Sequence, residues 1–126
     1  MALRVLIVDD DRETTDTLAD AFTDYGCDVR VACDGRSAIE QAEAFQPRLV
    51  VLDIGLPDCD GFDVVQQMRA HPDLCRSWLV ALTGFHDPRT RRLANSAGFN
   101  DYLVKPIDVI SLEAMLHEAR SAASGD

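Results

Sequence analysis

Two short apolar runs end abruptly in carboxylates, and this constrains the chain more than any other feature. Leu3-Arg4-Val5-Leu6-Ile7-Val8 stops at Asp9-Asp10-Asp11, and Arg48-Leu49-Val50-Val51-Leu52 stops at Asp53. Runs this short, rich in β-branched residues and closed by a polar residue, read as strands buried on both faces, the condition of a parallel sheet. In open α/β sheets the carboxyl ends of the strands line the crevice where ligands bind. Carboxylates gathered there repel one another, so something positive belongs among them.

The rest of the chain alternates in the same way. Leu18, Ala21, Phe22 and Tyr25 recur at helical spacing, and Gly26 supplies a left-handed stop. Residues 28–33 read as a second strand that includes Cys33, followed by Asp34-Gly35 as a turn. A helix with Ala38, Ile39, Ala42 and Phe45 on one face then closes before Pro47. After the loop 56–61, Phe62, Val65 and Met68 begin a third buried helical face that Pro72 ends. Trp78 to Leu82 is a fourth strand closed by Thr83-Gly84, and Asp87-Pro88 is an N-cap with proline at the first helical position. Ala97-Gly98 closes that helix. Tyr102-Leu103-Val104 forms a brief fifth strand ending at Lys105-Pro106. Asp108 can cap a last helix that buries Leu112, Met115, Leu116 and Ala119.

Five strands alternating with five helices predict one α/β domain, its core over about residues 3–120, with a parallel sheet covered on both faces. Every strand then points its carboxyl end at one edge, where Asp9, Asp10, Asp53, Thr83 and Lys105 all fall. No run approaches the roughly 20 apolar residues that span a bilayer, and no basic, then apolar leader opens the chain, which predicts a cytoplasmic protein without membrane contact. The 22 acidic and 12 basic side chains give a net charge of −10, against direct nucleic-acid binding. Cys27, Cys33, Cys59 and Cys75 lack metal-ligand spacing and are expected to be free thiols.

If Asp9, Asp10 and Asp53 converge, each like-charged pair roughly 4 Å apart costs about 4 kcal/mol at an effective dielectric near 20. A hard divalent cation removes the conflict. Mg²⁺ (or Mn²⁺) suits one or two carboxylates, a backbone carbonyl, retained water and a phosphoryl oxygen. Asp11 is assigned to capping the first helix.

The joint pattern resembles the receiver domain of two-component response regulators over essentially the whole chain. The match lies in Val5 to Asp11, in Leu52-Asp53-Ile54-Gly55-Leu56-Pro57-Asp58-Cys59-Asp60-Gly61, in Leu82-Thr83-Gly84 and in Tyr102-Leu103-Val104-Lys105-Pro106. The resemblance implies a flavodoxin-like, doubly wound five-stranded sheet and a signalling domain rather than a conventional enzyme. It implies that Asp53 accepts a phosphoryl group from a histidine kinase or histidine phosphotransfer protein. Asp10 would ligate Mg²⁺ directly, Asp9 mostly through water, and Gly55 through its carbonyl. Thr83 and Lys105 would contact phosphoryl oxygens, Pro106 would hold the Lys105 loop through a cis bond, and Tyr102 would swing inward on activation. Phe85 would shield the phosphoryl group from water and lengthen its lifetime.

Output would pass by protein contact to an unidentified downstream partner, with Arg89, Arg91 and Arg92 of the fourth helix and Glu113 and Glu118 of the fifth as charges for it or for a weak homodimer. Two rivals share the architecture. A flavin or nucleotide carrier would place its phosphate against Asp9-Asp10-Asp11, which repels it. An aspartate-nucleophile phosphatase would carry a second acid where this chain has Gly55. Both a stand-alone regulator and a module of a hybrid kinase fit the sequence.

Overall fold

A computed structural model describes residues 2–56, 60–84 and 88–124, side chains at 88, 123 and 124 excepted. The elements run β1 (Arg4–Val8), α1 (Arg12–Asp24), β2 (Asp28–Ala32), α2 (Gly35–Phe45), β3 (Leu49–Asp53), α3 (Gly61–Ala70), β4 (Trp78–Thr83), α4 (Pro88–Ala97), β5 (Asp101–Val104) and α5 (Val109–Ser124). The strands form one parallel sheet in the order β2-β1-β3-β4-β5. The five strands and five helices expected from the alternation are therefore present, in the flavodoxin-like arrangement.

Strand periodicity divides the core into two layers, because neighbouring side chains point to opposite faces. Val5, Ile7, Leu49, Val51, Val80, Leu82 and Leu103 pack against Leu18 and Phe22 of α1 and against Leu112, Met115, Leu116 and Ala119 of α5. Leu6, Val8, Val50, Leu52, Leu79 and Ala81 meet Ala38 and Ala42 of α2, Val64, Val65 and Met68 of α3, and Ala94 of α4. The central β3 is buried along its whole length, as its unbroken apolar run requires.

Local details depart from the sequence expectations for identifiable reasons. Cys33 lies just beyond β2 and is exposed, because the ladder with β1 ends at Ala32. Asp34-Gly35 is no separate turn: the Asp34 carboxylate accepts the Ser37 N–H at 2.8 Å as the N-cap of α2, and Gly35 is its first residue. The α2 helix ends on Gln46 at a φ of 52°, a conformation more often given to glycine or asparagine. In α3 it is Val64 that is fully buried beside Val65 and Met68, with Phe62 half-buried. The expected cap at Asp87 lies outside the described residues.

Arg69, which sequence reasoning passed over, ties the amino-terminal end of the sheet together. Its Nε and Nη2 donate to the Gly98 carbonyl at 2.9 and 2.6 Å, and its Nη1 donates to the Cys75 and Ser77 carbonyls at 2.8 Å each. Nη2 also donates to Asn100 Oδ1 at 2.8 Å, so all five N–H groups of the guanidinium are used. Burial pushes its pKa down, and no carboxylate among the described residues offsets that cost. Arg69→Ala is expected to lower unfolding stability by about 2 kcal/mol in urea titration, with Arg69→Lys recovering less than half, because one ammonium cannot reproduce the planar fork.

Candidate functional site

The strand order reverses between β1 and β3, and the crevice at such a reversal is where this architecture holds ligands. Register places Val8 beside Leu52, so Asp9 and Asp53 leave the sheet side by side. Both are buried, Asp9 at 1% exposure and Asp53 at 9%. Each uses one oxygen locally: Asp9 Oδ1 accepts the Asp11 N–H at 2.9 Å, and Asp53 Oδ1 accepts the Gly55 N–H at 2.8 Å. These contacts hold each carboxylate's other oxygen towards the crevice.

Lys105 meets those second oxygens. It leaves the end of β5, where its N–H donates to the Thr83 carbonyl at 2.8 Å, and its Nζ lies 2.7 Å from Asp9 Oδ2 and 3.3 Å from Asp53 Oδ2. The bond from Lys105 to Pro106 is cis, as expected. Thr83 is buried at the end of β4, opposite Val104. Asp10 is exposed, yet an oxygen of Asp9, Asp10 and Asp53 can be chosen such that all three lie within 4.8 Å of one another. Three carboxylates against one ammonium leave a net charge of −2.

The electrostatic tension is visible in the proton affinities. Burial, joined by the charge of Asp53, raises the Asp9 pKa above its ordinary 3.8 despite the ion pair with Lys105 and the hydrogen bond from the Asp11 N–H. Burial opposes the charge of Lys105, but its close pairing with the Asp9 carboxylate and the fields of Asp53 and Asp9 outweigh it and raise its pKa above 10.5. Asp9 Oδ2 is buried and, although close to the ammonium, has no aligned hydrogen-bond donor among the described residues. An all-oxygen donor set, an excess of two negative charges and a buried carboxylate oxygen paired only through the Lys105 charge fit a hard divalent cation. Asp10, being exposed, leaves room for coordinated water.

Asp11 stands apart from this group. It caps α1, accepting the Glu13 N–H at 3.2 Å and the Thr14 hydroxyl at 2.8 Å. The loop after Asp53 is shaped by two residues whose importance the sequence reading did not single out. Gly55 pairs with Asp60, whose carboxylate accepts the Phe62 N–H at 2.9 Å and caps α3. At Gly61 a Cβ would lie 2.6 Å from Ile54 Cα and 2.8 Å from the Asp53 carbonyl, so only glycine lets α3 start against the backbone of the site. Tyr102 is half-buried on β5 with the Arg91 guanidinium 5.3 Å from its ring centre. Phe85 lies outside the described residues.

The fold and the site define an α/β domain that presents an acidic, cation-demanding cluster at its switch point. The family model described as "Response regulator receiver domain" matches residues 5–117, and the chain belongs to that family. It is 35% identical over 90% of its length to an uncharacterized 14.6 kDa protein of Leptolyngbya boryana, covering 87% of that protein. Response regulator MprA of Mycolicibacterium vanbaalenii is 35% identical over 96% of the chain, and regulatory protein AtoC of Escherichia coli is 31% identical over 92%. The chain spans 50% and 25% of the length of these two relatives.

Among solved structures, chemotaxis response regulator CheY4 of Vibrio cholerae superposes with a TM-score of 0.89 at 25% identity, covering 94% of this chain and 99% of that one. The BeF3-activated receiver domain of RstA from Klebsiella pneumoniae gives 0.84 at 28% identity, with 92% and 97% covered. The chain is thus a receiver domain homologous to those of two-component response regulators.

The raised Asp9 pKa carries a stability consequence. Between 3.8 and the folded value the native state binds more protons than the unfolded chain, so stability falls as pH rises through that window and the cost is complete above it. Asp9→Asn is therefore expected to raise the urea midpoint at pH 7 while weakening Mg²⁺ binding. Equal midpoints for the two proteins at pH 7 would contradict this.

Proposed function

We propose that Asp53 is the phosphoryl acceptor of a His-Asp phosphorelay and that the chain catalyses its own Mg²⁺-dependent phosphorylation. The observation that carries the reading is the convergence of Asp9, Asp10 and Asp53 at the strand ends with Lys105 between two of them. A carboxylate oxygen of Asp53 attacks the phosphorus of a phosphohistidine. The new O–P bond forms as the P–N bond breaks, and the electron pair returns to the imidazole of the donor, which takes up a proton.

Phosphoryl transfer asks the protein mainly for positioning and charge neutralisation. Lys105 supplies a fixed ammonium for the phosphoryl oxygens, and the buried Thr83 stands at the neighbouring strand end to contact another. Asp9, Asp10, Asp53 and the Gly55 carbonyl would hold the Mg²⁺, which supplies Lewis-acid neutralisation of the phosphoryl oxygens when bound. The Gly55 N–H keeps Asp53 aimed, and Gly61 keeps its loop close. Replacing the Asp53 charge by a larger phosphoryl charge draws on Thr83 and Lys105, and Tyr102 reports the change on the α4, β5 and α5 face.

The donor is a histidine kinase or a histidine phosphotransfer protein in the cytoplasm, and the output is contact with a downstream protein. A groove of about 480 Å³ between α1 and α5 adjoins the site, since Lys105 lines both, and Leu18, Ala21, Ile107 and Leu112 make it largely apolar. Val109, which also lines it, is 64% exposed, and its chain neighbour Ile110 is 81% exposed. This groove is a surface through which a protein donor can reach Asp53.

Incubation with a small phosphodonor and Mg²⁺ should add one phosphoryl group by intact mass, and chelation or Asp53→Asn should abolish the gain. A gain that survives Asp53→Asn would refute the assignment. Substituting Ile110→Asp is expected to slow transfer from a protein donor roughly tenfold, the cost of about 1.4 kcal/mol in docking, while leaving the small-donor rate unchanged.

A further inference from the structure

At the opposite end of the sheet from Asp53, a cavity of about 520 Å³ opens where β3 and β4 begin. Three arginines line it, Arg48, Arg69 and Arg76, and no acidic residue does among the described residues. That is a sharp local reversal in a chain with 12 basic and 22 acidic side chains. The amino-terminal edge also receives the carboxyl end of α4, and a cation there commonly answers helix-end carbonyls. Arg69 does so, spending all five donors on the Gly98, Cys75 and Ser77 carbonyls and Asn100 Oδ1.

Arg48 and Arg76 do not share that role. Both are exposed, and neither side chain has a hydrogen bond or ion pair among the described residues. Asn100 spends its carbonyl oxygen on Arg69 and on the Leu79 N–H at 2.8 Å, which leaves its amide NH₂ as a donor. Trp78 also lines the cavity, and its indole N–H is buried without a partner among the described residues. The cavity thus presents a fixed positive charge at Arg69, the exposed guanidinium forks of Arg48 and Arg76, and the Asn100 amide as a further donor.

We propose that this cavity binds a small polyanion of the pyrophosphate class, held by Arg48 and Arg76 against the fixed charge of Arg69. Guanidinium forks match phosphate oxygens two at a time, and two forks on one cavity suit two linked phosphates better than one. The volume lies within the range of small-ligand sites. The site is separate from the carboxylates around Asp53, and the inference does not depend on phosphorylation there.

Trp78 is the only tryptophan of the chain and therefore reports on the cavity directly. The test titrates the full chain, with divalent cations chelated and ionic strength fixed, against sodium pyrophosphate, following Trp78 fluorescence and the NMR signals of its indole N–H and the Asn100 amide. Saturable changes at all three are expected. The double variant Arg48→Gln and Arg76→Gln should weaken binding about tenfold or more, whereas Asp53→Asn should leave it intact. A linear, non-saturating response, saturation unaltered in the double variant, or citrate binding as tightly as pyrophosphate would overturn the proposal.

Discussion

The ammonium of Lys105, set 2.7 Å from Asp9 and 3.3 Å from Asp53, is the contact on which the site depends. Parallel topology brings two carboxylates out of adjacent strands into nearly dry surroundings, where ionised acids are costly. One cation among them makes the arrangement tolerable without making it comfortable. The raised proton affinity of Asp9 records the remaining strain, and the exposed Asp10 adds a third negative charge at the rim. A domain built only for stability would place an apolar or neutral residue at Asp9.

That strain is useful in a receiver domain. Under the proposed function, a site already short of positive charge would favour a divalent cation, and the bound cation would let it accept a phosphoryl group whose charge would otherwise be repelled. The scaffold beneath is correspondingly firm. The ends of the buried strands carry Asp9, Asp53 and Thr83, while Gly61 lets the first turn of α3 press against the Asp53 backbone. At the other end of the sheet Arg69 fastens α3 and the β4 approach to the close of α4. The carboxyl edge therefore carries local electrostatic cost on a backbone held by close contacts.

The two layers were legible because strand and helix periodicities differ, and because Gly26 and Pro47 mark where elements stop. Asp9, Asp10, Asp53, Thr83 and Lys105 were legible as a group because parallel strands must share one carboxyl edge. Other features escaped for physical reasons. Cys33 continues an apolar pattern, but the ladder that would hold it has ended at Ala32. Arg69 reads as an ordinary basic residue in a last helical turn, and only the approach of residues 75, 77, 98 and 100 shows that it is a clamp. The Arg91 contact with Tyr102 joins residues on separate elements and has no local signature.

By itself the sequence determined the alternation of elements, the parallel sheet, the edge to which the acids belong and the family, since these follow from periodicity, chain connectivity and motif residues. Tertiary structure alone decided which oxygen of each aspartate meets Lys105, which is buried without an aligned donor, and why position 61 admits only glycine. Those matters turn on distances of a few tenths of an ångström between residues far apart in the chain. Local pattern carries no information at that scale, because it arises only when separate strands and helices pack against one another.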